Sequence, residues 1–188
     1  MLRCYITDRG QLPSREALLA AIARNLIAGV DWIQIREKDL SACDLFDIVR
    51  CAQALPNPAA TKILVNTRVD VALAAGAAGT HLPSGSPPSR HWRAVAPPDF
   101  LIGVSCHTIE EVRAAEQEGA DYILFGPVFA PRSKSTDLPP RGLDRLSEAA
   151  HAVGIPVLAL GGINNENISQ CTSAGAAGVA AISLFQTC

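Results

Sequence analysis

What the chain lacks narrows its reading first. None of the six cysteines (Cys4, Cys43, Cys51, Cys106, Cys171 and Cys188) forms a CxxC pair. They read as reduced thiols of a cytoplasmic protein rather than as a disulfide framework or a zinc site. No apolar run approaches the ~18 residues of a membrane span, and MLRCYITDRG opens on a strand rather than on a signal-peptide core, so no membrane partner is expected. The formal charge is only −2, which gives no basic footprint for nucleic acid. No GxGxxG follows an early strand, against a dinucleotide fold. Linkers and low-complexity segments are missing too, so residues 1–188 are expected to form one domain with a sizeable core.

What is present is a repeated strand and helix. Residues 100–129, FLIGVSCHTIEEVRAAEQEGADYILFGPVF, hold one complete unit. The run 101–105 is short and apolar-rich, as a buried strand is. Thr108 is placed to cap a helix, with Glu111 three residues later to complete a capping box. Ile109, Val112 and Ala115 supply that helix with an apolar stripe, and Gly119 ends it. The next strand is 122–126. The same alternation predicts further strands at 4–7, 32–36, 63–66, 79–82, 156–160 and 178–182. It predicts helices at 14–28, 41–56, 68–75, around Trp92, 108–119, 143–153 and 166–174.

Such alternation implies a parallel sheet. Closed on itself it is an α/β fold of the (β/α)₈ TIM barrel type; a doubly wound open sheet is the alternative. Little chain follows the eighth strand, so the last helix is expected to be truncated or missing. Apolar surface left uncovered there would favour a homo-oligomer.

Side chains alternate along a strand, so Gly103, Ser105 and His107 share one face, and Ile102 and Val104 the other. Ligands of parallel α/β proteins lie at the carboxyl ends of the strands, which is where His107 falls. In WIQIREK, Gln34, Arg36 and Lys38 form a polar and doubly cationic row opposite Ile33 and Ile35. Turned inward, that row calls for an anion. The plain alternative is a solvated strand end with Arg36 paired to an acid. Asn66 after the third strand and Lys134 in the loop after the sixth are placed to join an anion site. Gly161 and Gly162 after strand seven, with Ile182 and Ser183 after strand eight, match the usual phosphate position of such barrels, or merely a tight turn. His107 is a candidate general acid/base, with a structural histidine as the alternative. Its neighbour Ser105 does not make a triad with it, and Cys106 points the other way. His81 falls on the opposite parity of strand four and reads as structural.

The segments QIREK (34–38), NTRVDVALAAGAAGTHL (66–82), residues 103–129, PVLALGGI (156–163) and GVAAIS (178–183) resemble the thiamine phosphate synthase/TenI superfamily, in order and over nearly the whole chain. The resemblance implies a barrel acting on a thiazole phosphate in thiamine biosynthesis. Two activities are known there. The synthase joins hydroxymethylpyrimidine pyrophosphate to thiazole phosphate, with magnesium holding the pyrophosphate. The TenI-type tautomerase moves a proton to aromatise a carboxythiazole phosphate and needs no metal. The synthase pattern has aspartates for magnesium after strands three and four. Here Thr67 follows Asn66, and LPSGSPPS (82–89) carries no carboxylate. Lys38 and Lys134 match positions that grip pyrophosphate in the synthase, while LPSGS is closer to TenI-type proteins. His107 is shared by both.

The expectation is therefore a thiazole tautomerase, an isomerase without metal or other cofactor, whose partner is a small phosphorylated thiazole. Gly161, Gly162, Ile182 and Ser183 would hold the phosphate. Gln34, Arg36, Lys38, Asn66, Ser105 and Lys134 would bind the rest of the substrate, and His107 would shuttle the proton. One alternative is the synthase, a transferase with magnesium. The other is a thiamine-phosphate-binding protein without catalysis.

Overall fold

The structure is a computed structural model and describes residues 1–130 and 139–186. Eight parallel strands close in sequence order into a barrel. They are β1 (Leu2–Ile6), β2 (Trp32–Ile35), β3 (Lys62–Asn66), β4 (Gly79–Leu82), β5 (Leu101–Cys106), β6 (Tyr122–Phe125), β7 (Val157–Leu160) and β8 (Gly178–Ala181). Outside them run α1 (Arg15–Ile27), α2 (Ala42–Gln53), α3 (Val69–Ala75), α4 (Ser89–Arg93), α5 (Ile109–Gln117), α6 (Gly142–His151), α7 (Ile168–Ser173) and α8 (Ser183–Gln186). This is the (β/α)₈ barrel expected from the alternation. Among the described residues no helix is long and apolar enough to cross a membrane.

Alternation along each strand divides the core in two. Ile33 and Ile35 of β2 and Ile102 of β5 point outward, into one cluster with Leu18, Ile22 and Leu26 of α1 and Ile48 and Val49 of α2. On the other half, Ile123, Phe125, Val157 and Val179 meet Val112, Leu146 and Cys171 in the same way. Burying one such side chain is worth about 1.5–3 kcal/mol, and every strand contributes at least one. Residues of the other parity fill the barrel itself: Cys4, Ile6, Trp32, Leu64, Tyr122, Leu124, Leu158 and Ala180.

Register decides which polar residues join that interior. Asn66 lies beside His81, His81 beside Gly103, and Gly103 beside Tyr122. Neighbours in register point to the same face. His81 therefore faces into the barrel with Gly103 and Tyr122, and its assignment to the outer face by residue count is corrected. Residue number gives parity within one strand only; the offset between strands is a long-range quantity.

The last helix is short rather than missing. Its Gln186 reaches back to the first strand: the Tyr5 hydroxyl donates to Oε1 at 2.9 Å, and the Asp8 N–H donates to the same atom at 3.0 Å. Nε2 of Gln186 in turn donates to the Asp8 carbonyl at 2.8 Å. Asn25 Nδ2 on α1 donates to the Phe185 carbonyl at 2.9 Å. One turn of helix is thus bolted to both β1 and α1.

Candidate active site at the carboxyl ends of the strands

Of the polar row expected on β2, only Gln34 lies on the strand and enters the barrel; Arg36 and Lys38 follow its end. Gln34 is 1% exposed, and its Nε2 is buried with no hydrogen-bond partner among the described residues. Arg36 is half-buried. Its N–H donates to Thr7 Oγ1 at 2.9 Å, and that hydroxyl donates to the buried Glu37 carboxylate at 2.5 Å. Glu37 also accepts the Arg9 N–H at 3.0 Å. Burial pushes the Glu37 carboxyl up, against the pull of the Thr7 and Arg9 hydrogen bonds. Among the described residues the Arg36 guanidinium pairs with no carboxylate, which removes from them the acid that the plain reading needs. Lys38 is exposed beyond the strand end. Lys134 lies outside the described residues.

On β3 to β5 the inward groups are linked. Asn66 Nδ2 donates to Thr67 Oγ1 at 2.8 Å, and the Thr67 N–H donates to the His81 carbonyl at 2.8 Å. Thr67 has φ 65°, a left-handed backbone that branched side chains rarely adopt. The His81 ring is 2% exposed. Its Nε2 lies 2.8 Å from Ser105 Oγ and its Nδ1 3.2 Å from the Tyr122 hydroxyl. Burial, helped by the Arg36 charge, pushes this imidazole down to about 3, so it is neutral at pH 7.

His107 follows the end of β5, and its position is set by the cap of α5. The Glu111 carboxylate accepts the N–H of His107 at 2.5 Å and of Thr108 at 3.2 Å, and Thr108 Oγ1 accepts the Glu111 N–H at 3.2 Å. The capping box is present as its spacing predicts. Burial raises the Glu111 carboxyl, but these bonds and one from the Ser84 hydroxyl outweigh it and hold it below its ordinary value. The His107 ring places Nδ1 2.6 Å from the Gly126 carbonyl oxygen. A carbonyl only accepts, so Nδ1 carries a hydrogen toward it, and Nε2 has no protein partner among the described residues. Cys106 packs in the outer core, its thiol pushed up to about 12 by burial and then by Glu111. It is no nucleophile for His107.

Gly161 and Gly162 have φ 95° and 65°. A Cβ at 161 would lie 2.6 Å from Pro127 Cβ, and one at 162 2.6 Å from the Ala130 carbonyl. Both positions therefore require glycine for packing alone, and the same absence of side chains leaves the turn open to an approaching ligand. Ser183 begins α8 beside it.

Magnesium, which the resemblance attaches to the synthase, is bound through carboxylates and substrate phosphates. Thr67 stands at the first aspartate position, and the loop after β4 offers serine and proline. Nearby carboxylates are engaged: Glu37 by Thr7 and Arg9, Glu111 by its cap, Asp70 by Arg68. No three acidic, histidine or cysteine groups among the described residues are placed to hold a metal ion. The described donors do not fit magnesium.

The strands bring Gln34, Arg36, Asn66, Ser105 and His107 to one end of the barrel. Sequence reasoning missed Tyr122 and the inward turn of His81, and with them the Thr7 and Glu37 bracket under Arg36. The one available signal for these was that buried polar groups require partners.

The model of the thiamine monophosphate synthase family matches residues 4–185. The thiamine-phosphate synthase of Methanocella arvoryzae is 45% identical over 182 residues, covering 95% of this chain and 84% of that one. That of Chlorobium phaeovibrioides is 40% identical over 180 residues, covering 96% and 84%. The solved thiamine phosphate pyrophosphorylase from Pyrococcus furiosus has a TM-score of 0.85 at 33% identity and covers 100% of this chain and 88% of that one. FabK from Thermotoga maritima, 15% identical with a TM-score of 0.72, shares the fold alone. The first three carry the synthase or pyrophosphorylase name, so the similarity backs the synthase alternative over the tautomerase expected first. Matched from its first strand to its last helix, the chain belongs to the thiamine monophosphate synthase family of thiamine-biosynthesis enzymes.

Proposed function

We propose that the chain is a transferase that couples hydroxymethylpyrimidine pyrophosphate to thiazole phosphate, giving thiamine phosphate and pyrophosphate. The observation that carries this reading is the 45% identity to a thiamine-phosphate synthase over 95% of the chain. In the reaction the bond from the pyrimidine methylene carbon to pyrophosphate oxygen breaks, and a bond from that carbon to the thiazole nitrogen forms. Nε2 of Gln34, without a partner among the described residues, donates to a polar edge of the pyrimidine. Arg36, Lys38 and Lys134 offset the charge that grows on the departing pyrophosphate, and Ser105 donates a hydrogen bond to it. Such charge-assisted bonds are worth about 1.5–3 kcal/mol each. The Gly161 and Gly162 turn and the start of α8 at Ile182 and Ser183 receive the thiazole phosphate. No step passes through a metal ion, because the described donors do not fit one.

A second reading, the proton-shuttling tautomerase, is favoured by the carboxylate-free loops at Thr67 and Ser84 and by His107 Nε2, which has no protein partner among the described residues. One experiment separates the two. The purified chain is given both coupling substrates, with and without millimolar magnesium, and in parallel a carboxythiazole phosphate. Formation of thiamine phosphate is expected. Isomerisation without any coupling would replace the first reading by the second, and binding of thiamine phosphate without turnover of either would leave only the binding protein.

A further inference from the structure

The barrel interior holds a chain of three polar groups, Tyr122, His81 and Ser105, that runs from its packed middle to its open end. Tyr122 is 1% exposed and its ring packs at a tilt against Trp32, with centroids 4.6 Å apart. Room for that ring exists only because residue 103 is glycine: a Cβ there would sit 2.0 Å from the Tyr122 ring. The Tyr122 hydroxyl has one hydrogen-bond partner among the described residues, Nδ1 of His81 at 3.2 Å. The opposite nitrogen of the same ring meets Ser105 Oγ at 2.8 Å, which has no other partner among them.

The direction of these two bonds follows from satisfying each proton. A phenol carries a hydrogen that must be donated when it is buried. Among the described residues the only acceptor offered to it is Nδ1 of His81, which must then be unprotonated. The ring is neutral, since burial pushes it down to about 3. A neutral imidazole carries one hydrogen, so it sits on Nε2 and is donated to Ser105 Oγ. The serine oxygen thereby accepts from below, and its own hydrogen is turned toward the half-exposed end of β5. In the other tautomer, Nδ1–H would point at the phenol, leaving the phenol proton buried without an acceptor. Ser105 would then donate downward and show the mouth only lone pairs, facing any anion with the wrong polarity.

We propose that Tyr122 and His81 are positioning residues that fix the polarity of Ser105, making its hydroxyl a dedicated hydrogen-bond donor to an anionic oxygen of the substrate at the barrel mouth. The relay transfers no proton. It sets a dipole before the substrate arrives, as preorganised donors do. This rests on the proposed function only for the identity of the anion.

Two measurements test it. The first needs no ligand: long-range ¹H–¹⁵N spectra of the labelled full chain at pH 7, with the His81 signals assigned by their loss in His81→Asn. The Nε2–H tautomer is expected. The Nδ1–H tautomer, or a protonated ring, would overturn the relay. The second is calorimetric binding of inorganic pyrophosphate to wild type, Tyr122→Phe, Ser105→Ala and the double variant. Tyr122→Phe keeps the ring and its packing and removes only the phenol donor. It is expected to weaken binding by about tenfold on the wild-type background. On the Ser105→Ala background it should change nothing, since the group being oriented is gone. An equal loss on both backgrounds would mean a packing effect and overturn the relay. If wild type does not bind pyrophosphate, the assigned anion and the transferase reading fall, while the tautomer spectrum still decides the relay.

Discussion

The imidazole of His107 is tied by Nδ1 to the carbonyl oxygen of Gly126 at 2.6 Å. The carbonyl just after β6 therefore holds the ring of a residue that follows β5. Together with the Glu111 carboxylate on the His107 N–H, this holds both backbone and ring before any substrate is present.

His107→Gln consequently separates the two activities. Glutamine can keep a hydrogen bond to Gly126 but cannot carry a proton at neutral pH. The variant should fold with an unchanged thermal midpoint. Coupling should fall by less than about tenfold, whereas an isomerisation routed through Nε2 would fall by about 10² or more. Rates of both reactions on one preparation decide it.

Gln34 presents a buried Nε2 with no partner among the described residues, an arrangement that costs about 1–3 kcal/mol. Gln34→Met removes the stranded donor and keeps the volume. The expected result is a gain of about 1 kcal/mol, a rise of roughly 2–4 °C in the thermal midpoint for a chain of this size. Binding of the pyrimidine substrate should weaken about tenfold. A loss of stability would show that the amide is satisfied in the free protein.

Thr67 occupies the left-handed region at φ 65°, where a branched side chain is strained by about 1–3 kcal/mol and asparagine or aspartate is at ease. Thr67→Asp should raise the urea midpoint by an amount equal to about 1 kcal/mol. It should also make the pyrophosphate affinity respond to magnesium, since it restores a carboxylate where the synthase pattern has one. Lower stability in the variant would place the strain elsewhere.

His81 makes acid sensitivity calculable. Its ordinary value is 6.5, and in the folded chain it is pushed down to about 3. Between these values the unfolded chain binds the additional proton. Stability from this group is complete above about 6.5 and falls as the pH drops, by up to about 1.4 kcal/mol per unit, until the folded value is reached. Urea unfolding at pH 7 and pH 5 should show this slope in wild type. In His81→Asn the slope should be smaller, whatever the absolute stability of that variant.

The parts legible in the sequence are those written locally. The Thr108 and Glu111 cap needs four residues, and the outward Ile33 and Ile35 need only the alternation of one strand. The closed barrel was likewise legible, because strict alternation leaves few other ways to bury both faces of each strand. His81 was placed on the wrong face because its direction depends on register with Asn66 and Gly103, which no local pattern carries. The Tyr122 partner was hidden for the same reason. Thr67 gave no sign of its backbone angle, since threonine is the last residue one would place there. Nor did four residues of α8 carry enough periodicity to announce a helix. Lys134 stands where the sequence could name it, outside the residues that the structure describes.

The seam of the barrel lies between β1 and β8, and Gln186 locks it onto Tyr5 and Asp8. Synthesis proceeds from the other side of that seam. While the chain is being made, β1 has one bare edge, and each newly finished strand supplies another. Neither can be covered until residues 178–186 have emerged. Until then the nascent barrel is an open sheet with two adhesive borders. Truncation just before β8 should thus yield insoluble protein rather than a slightly weaker enzyme, and slow translation should be hazardous in proportion to how late it occurs.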